Sequence, residues 1–401
     1  MRYDVVIVGG GFAGMLLATI LGETGVSVAV VEPRAEDNLA SRNFDGRTTA
    51  IAPSSKRMFE VLGIWDKINP NAQAIRDIRV ADQSSPFFVH YSEGDLGAEA
   101  LGWVSENWFI RRAINEKILS LPSVKIFWGV EVRGFECTEP FCEASLSDGT
   151  RLRSRLLVGA DGRRSQTRKH LGIFTTEWNY NQHAIVFSVR HERAHEGVAI
   201  EHFLKSGPFA ILPLTGNRSS IVWTERATLA SHFLRLDEEQ FLEEASIRFG
   251  DFLGELTLEG PRWAYPLSLM NAHSYVAPRV ALVADAAHTI HPIAGQGINI
   301  GWRDVAALGE VIIKTMRLGL DPGSLTALNK YQKWRRPDNV LMLATTDLLN
   351  RLFSNDVAPL IAARNLGLGA VQRLPRVKKF FMRHAMGDVG ELPLLNRGLP
   401  I

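Results

Sequence analysis

Residues 3–32 read YDVVIVGGGFAGMLLATILGETGVSVAVVE, and the fold follows from them. Tyr3 to Val8 is apolar and β-branched, the content of a strand covered on both faces. Gly9, Gly11 and Gly14 then fill a G-x-G-x-x-G pattern, and Met15 to Leu21 continue as helix. Gly25 stops that helix, and Val26 to Val31 form a second strand that closes at Glu32. The first glycine permits a tight turn, the second lets the backbone approach a pyrophosphate, and the third lets helix pack on strand. Glu32 stands 18 residues beyond Gly14, where a carboxylate can accept from a ribose hydroxyl. Glycines alone would be a weak signal. Strand, helix, second strand and terminal acid in this order give a dinucleotide-binding unit.

Two later stretches complete the same kind of site. Residues 279–304 read RVALVADAAHTIHPIAGQGINIGWRD: an apolar run ends at Asp285, and Pro292, Gly295, Gly297 and Gly301 lead into a helical pattern. A carboxylate at a strand end, beside a Gly-rich turn that opens a helix, sets acceptor, N–H groups and helix dipole around one ligand. Residues 156–164, LLVGADGRR, are a buried strand ending in Asp161 and Gly162.

Taken together, the three motifs resemble the single-component FAD-dependent aromatic hydroxylases, the p-hydroxybenzoate hydroxylase-like family. HPIAGQGINIGWRD and the ending RLFSNDVAPLIAARNLGLGAVQRLPRVKKFFMRHAMG resemble its ubiquinone-biosynthesis subfamily, and the likeness covers nearly the whole chain. The resemblance implies an α/β fold: a Rossmann-type FAD-binding domain, an inserted antiparallel β-sheet substrate domain and a helical C-terminal segment. It implies FAD as cofactor and NADPH or NADH as co-substrate. The implied reaction is ring hydroxylation of a polyprenylated, membrane-dissolved phenol by O2 through a flavin C4a-hydroperoxide. Two other readings stand beside it: hydroxylation of a small soluble phenolic acid, and a flavin-binding assembly component of a quinone-biosynthesis complex.

Matched residue by residue, the resemblance puts Arg47 of DGRTTAI on the FAD pyrophosphate and Arg111 or Arg112 near the cofactor. Gly9, Gly11, Gly14, Glu32, Asp161, Gly162, Asp285 and Asn299 join them as cofactor-binding candidates, with Pro292, Gly295, Gln296 and Gly297 lining the flavin ring. The chain departs from the pattern twice. Ala284 stands where the family has glycine, tolerable in β conformation but strained at positive φ. Trp302 replaces a smaller aliphatic residue, which alters packing behind the flavin.

The expected FAD-binding domain is discontinuous, formed by residues 1–75, 101–174 and 276–340. Residues 76–100 and 175–275 give the substrate domain, whose segments HAIVFSVRHE, GVAIEHFL, PFAILPL and SSIVWTER are short strands followed by a helix from Leu236 to Phe249. Elsewhere the pattern predicts a helix over 108–121, one strand over 125–135, a return to the FAD domain at PRWAYPLSLMNAHSYVAPR, and a basic helical segment over 341–401. From Val357 to Gly387 there are six Lys or Arg residues and no Asp or Glu, with Phe380 and Phe381 beside Lys378 and Lys379. Such a segment suits an anionic membrane surface.

Composition narrows the rest. A chain of 401 residues suggests two domains sharing a cleft, and a net charge of +2 without a basic stripe argues against nucleic acid. Cys137 and Cys142 flank Pro140 and are expected as free thiols in a reducing compartment. With no signal peptide and no apolar run of spanning length, the expected location is cytoplasmic, peripheral on the inner face of the membrane. His288 and His291 lack a third ligand at suitable spacing, so no metal is expected. Of His183, His202 and Tyr265, none is singled out by sequence as the group that handles the phenol proton.

Overall fold

A computed structural model describes residues 1–35, 46–83, 88–95, 97, 99–354, 374, 376, 378, 379, 382, 386–388 and 390–401. In chain order, β1 (Arg2–Val8), α1 (Phe12–Glu23) and β2 (Val28–Glu32) are followed by β3 (Thr48–Ile51), α2 (Pro53–Val61), α3 (Trp65–Ile68) and β4 (Ala72–Ile75). Next come β5 (Asp77–Asp82), β6 (Phe88–Ser92), β7 (Gly102–Glu106), α4 (Asn107–Leu119), β8 (Val124–Trp128), β9 (Val132–Thr138), β10 (Phe141–Leu146), β11 (Arg151–Gly159) and α5 (Gln166–His170). The middle of the chain holds β12 (Thr175–His191), β13 (Val198–Leu204), β14 (Gly207–Leu214), β15 (Arg218–Arg226), α6 (Ala227–Phe233), α7 (Glu238–Phe249) and β16 (Leu256–Ala272). Short strands β17 (Val276–Ala277), β18 (Val280–Leu282) and β19 (His288–Thr289) lead to the long helices α8 (Gly297–Arg317) and α9 (Leu325–Phe353).

The first sheet runs β17-β18-β11-β1-β2-β8, with the β9–β10 hairpin attached to β11. Strands β18, β11, β1, β2 and β8 are parallel neighbours. Parallel strands covered on both faces carry unbroken apolar runs, and β2 is buried at all five positions. Helices α1 and α8 cover one face together, where Gly309 lets α8 approach Ile20.

A second sheet runs β19-β16-β12-β15-β14-β13-β5-β6, so residues 77–92 join strands far later in the chain. Every pairing is antiparallel except that of β13 with β5. One face packs Ile185, Phe187, Phe209 and Trp223 against Phe233 and Phe241 of α6 and α7. Alternate residues point the opposite way, toward the first domain. Strands β3, β7 and β4 form a small third sheet between the two.

Three expectations change. The run over 125–135 is two strands, because Gly129 turns the chain at φ +71° and sends β9 back against β10. The segment expected to leave the substrate sheet at Pro261 stays in it: β16 pairs with β12 as far as Ala272, register shifts absorbing the length. The cysteines are not free thiols. The tight β9–β10 hairpin sets Cys137 opposite Cys142 with Cα atoms 4.0 Å apart, and the two form a disulfide. Of the basic tail, residues 355–373, Phe380 and Phe381 lie outside the described residues. Its last part packs firmly: Leu395 joins the main core, and Asp388 and the Asn396 carbonyl hold Arg57.

Helices α8 and α9 are locked by charge as well as packing. Asp304 and Arg335 are both fully buried, with Arg335 Nε donating to Asp304 Oδ1 at 2.9 Å. Asn339 donates to the same oxygen at 3.0 Å, and the His288 ring bonds Oδ2. Burial alone would raise the Asp304 pKa, but His288, Arg335 and Asn339 outweigh it and hold the carboxyl below its ordinary value. The Asp304→Asn substitution removes one of the two carboxylates that pair the buried Arg335, leaving only Asp338 at 2.8 Å, and should cost up to about 3–5 kcal/mol. A thermal midpoint unchanged by that substitution, followed by circular dichroism, would show that the network contributes nothing.

Candidate active site

The G-x-G-x-x-G turn is shaped by contacts that tolerate no side chain. Gly9 has φ +106°, and a Cβ there would lie 2.5 Å from the Ala160 carbonyl oxygen. At Gly14 a Cβ would fall 1.9 Å from the Gly9 carbonyl oxygen, so α1 rests directly on the strand end. Gly11 differs: it caps α1 without a side-chain hydrogen bond, and the space beside it is open. The first N–H groups of α1 therefore face a cavity, a ready seat for phosphate. Glu32 accepts from Gly10 N–H at 2.7 Å and, through Oε1, from the backbone and side chain of Arg34. One acceptor position on Oε2 remains for a ribose hydroxyl.

The far end of the first sheet supplies the other wall. Beyond β18 the chain turns at Ala284, whose φ is +52°, so the substitution of the family glycine falls where a side chain is strained. The turn is pressed onto α8: a Cβ at Gly301 would lie 2.7 Å from the Ala284 methyl. Asp285 follows, facing the cavity. Burial raises its pKa, against the opposing charges of His288 and Arg163. Trp302 is fully buried and packs edge-on against Phe12 and Phe59, filling the space behind this wall.

One cavity of about 1010 Å³ joins these parts. Of the candidates named from the sequence, Gly11, Arg47, Arg111, Gly162, Asp285, Pro292, Gly295, Gln296 and Gly297 line it. Arg47 lies over the Tyr265 ring at 5.6 Å and Arg111 over Phe12 at the same distance. Arg34 also lines it, a residue that sequence reasoning passed over; a base two positions after the strand-end acid was the available signal. Two candidates do other work. Asn299 uses both acceptor positions on Ala52 N–H and Ser55 Oγ and both donors on the Ala50 and Gly295 carbonyls, leaving nothing for a cofactor. Asp161 is not among the residues lining the cavity; its Oδ2 accepts from the backbone and hydroxyl of Thr167, fixing the turn into α5, and its Oδ1 has no partner among the described residues. His288, on the cavity wall, is held by Asp304.

From this polar end the cavity extends along the free face of the second sheet. Val80, Val186, Ala199, Phe203, Ala210 and Leu267 form that wall, and Leu349, Phe353, Met382 and Met386 close the opposite side. Tyr265 lines the cavity, whereas His183 and His202 do not. One charged side chain interrupts the apolar wall: Glu201, which sequence reasoning did not select.

Residues 2–342 match the family described as FAD binding domain. The chain belongs to that family. Ubiquinone hydroxylase UbiL of Rhodospirillum rubrum is 49% identical over 99% of this chain and 93% of its own length. The human ubiquinone biosynthesis monooxygenase COQ6, mitochondrial, is 31% identical over 96% of this chain and 92% of its own. The crystal structure of p-nitrophenol 4-monooxygenase PnpA from Pseudomonas putida superposes with a TM-score of 0.80 at 19% identity, covering 98% of this chain and 100% of that one. The fold is thus that of the p-hydroxybenzoate hydroxylase-like FAD-dependent monooxygenases, as the sequence motifs imply.

The cradle fits FAD on its own chemistry: an uncapped helix N-terminus, arginines at one mouth, a buried acid at the end of β2, and glycines where the backbone must come close. Asp285→Ala should strip FAD from the purified protein, read as lost absorbance near 450 nm; a fully loaded yellow variant would remove Asp285 from the site. Relieving the left-handed alanine by Ala284→Gly should raise stability by about 1 kcal/mol, seen as a higher unfolding midpoint.

Proposed function

We propose that this protein hydroxylates the aromatic ring of a polyprenylated phenol in ubiquinone biosynthesis. The observation that carries the reading is the cavity, a polar cofactor mouth continuous with a long apolar chamber. A ring bearing a hydrophobic tail needs both parts in line. The name of the relative at 49% identity supports the same assignment. Bound FAD supplies the transfer of electrons from NAD(P)H and the activation of O2. One oxygen atom enters a ring C–H bond to give C–OH, and the other leaves as water with the electron pair from NAD(P)H.

The chain's own groups bind, orient and exclude water. The α1 N-terminus and Arg47 would hold the pyrophosphate, Glu32 a ribose hydroxyl, and Asp285 the opposite wall, and the backbone from Pro292 to Gly297 would meet the ring system. No second Gly-rich unit is present for the nicotinamide, so NAD(P)H would bind transiently. Apolar residues of the second sheet and α9 keep the chamber dry around the ring and its tail.

Among the described residues no helix is long and apolar enough to cross a membrane. Access to a membrane-dissolved phenol would come from peripheral docking of the basic tail, possession of which also suits a biosynthetic complex at that surface. Deleting the whole tail is a poor test, because Leu395, Asp388 and Asn396 hold the first domain together. Reversing Arg364, Arg373 and Lys379 to Glu should instead cut partitioning onto anionic vesicles by on the order of 100-fold. Equal binding by this variant and the parent in co-sedimentation would leave the tail without a membrane role.

Mass spectrometry of lipid extracts from a strain lacking the protein tests the function directly. A single prenylated phenol short of one hydroxyl should accumulate, and its structure would give the ring position. An unchanged quinone pool, with no redundant hydroxylase present, would redirect the assignment to a soluble phenol.

A further inference from the structure

Strand β13 places Ala199, Glu201 and Phe203 on the cavity face of the second sheet, with Ile200 and His202 turned the other way. Glu201 sits opposite Ala210 of β14 and Val80 of β5, both apolar and both lining the cavity. It makes no hydrogen bond or ion pair with any described residue. Of the arginines of the cavity, Arg47 lies over the Tyr265 ring and Arg111 over Phe12, Arg34 is bound to Glu32, and Glu201 stands on the sheet wall. A charged group set unpaired into an apolar chamber costs stability, so the cost is consistent with use.

We propose that Glu201 is a catalytic residue that takes the phenolic proton of the substrate and that discriminates against phenols bearing a carboxylate. This rests on the hydroxylase reading above and adds to it the group that handles the proton. The phenolic O–H bond breaks and its proton goes to the Glu201 carboxylate. The electron pair left on oxygen enriches the ortho and para carbons, where the oxygen atom from O2 enters. The hydrogen displaced from that carbon leaves as a proton, and Glu201 returns its own proton to the phenolate. A substrate carboxylate beside Glu201 would set like charge on like charge, and no cation among the described residues is paired with Glu201 to offset it.

The surroundings tune the group for this work. Burial pushes the Glu201 pKa up to about 7, much nearer to a phenol than an ordinary glutamate is. The titratable neighbours on the packed elements are few. Tyr91 on β6, whose own pKa burial pushes up to about 12, stays protonated, and Lys378 lies over its ring while pairing with Asp95. Asp82 follows Val80 on the same face of β5, and α9 presents Leu349, Leu352 and Phe353. The sign for activity is then definite: the carboxylate is the working form, so hydroxylation should rise with pH through about 7 and level off above it. For stability the raised pKa acts in the other direction. The contribution of Glu201 is intact below the ordinary glutamate range and is lost as pH rises through about 7.

The test uses FAD-loaded full-length protein, NAD(P)H, O2 and a short-chain prenylphenol, with product measured by mass spectrometry. In Glu201→Gln, product per NAD(P)H consumed should fall on the order of 100-fold or more, with hydrogen peroxide in its place and the pH limb near 7 gone. FAD content should hold, and the unfolding midpoint at pH 8 should exceed that of the parent, since an unpaired charge has been removed. Glu201→Asp should recover part of the yield together with a pH limb. Carboxylated phenols should be turned over better, relative to neutral ones, by Glu201→Gln than by the parent. A Glu201→Gln variant with parental yield and an unaltered limb overturns the assignment while leaving the hydroxylase reading intact. A parent that hydroxylates phenolic acids and no prenylphenol overturns both.

Discussion

A buried carboxylate, Asp304, organises the part of the molecule on which the site rests. It joins α8, α9 and the strand that carries His288 through three partners, in a place water does not reach. Because α8 begins at Gly297, fixing Asp304 fixes the turn that faces the cavity. The neighbouring Arg303 is used in the same way, its guanidinium held by the Gly387 carbonyl, which ties the C-terminal segment to the same helix. The Arg303-Asp304 pair after the glycine-rich turn therefore works as the mount of the site.

How far the sequence could be read depends on whether the signal is local. The β1-α1-β2 unit is written within thirty residues by period and glycine spacing, and the structure reproduces it in register. Asn299 and Asp161 were legible as polar residues at the right places, yet their direction depends on partners distant in sequence: Ala52 and Ser55 for one, the α5 turn for the other. Ala284 was recognised as a departure, but its left-handed backbone is imposed by the crossing of α8 at Gly301. Glu201 was missed because a short strand with one polar residue on each face, Glu201 and His202, gives no hint of which face looks into a chamber. That needs the pairing of β13 with β5, which no local pattern encodes. The cysteine pair shows the same limit at short range, since the hairpin register and not the spacing brings them together.

The two domains divide the chemical labour by wall material. The cofactor end is built from backbone groups, glycines and arginines, which accept charge; the substrate end is built from sheet side chains, which exclude water. An acid in the second wall would be out of place in the core of either domain. On the boundary between them it can meet a ligand that the first wall activates.

The order of the chain has a consequence for how the protein is made. The Gly-rich turn is synthesised before its partners: β1 needs β11, and the wall carrying Asp285 comes later still. Likewise β5 and β6 cannot join their sheet until β13 exists. A nascent chain stopped anywhere before α8 therefore holds open strand edges and half a cradle. Cofactor capture is thus a late event of biosynthesis, and until then the apolar strands depend on shielding from other nascent chains.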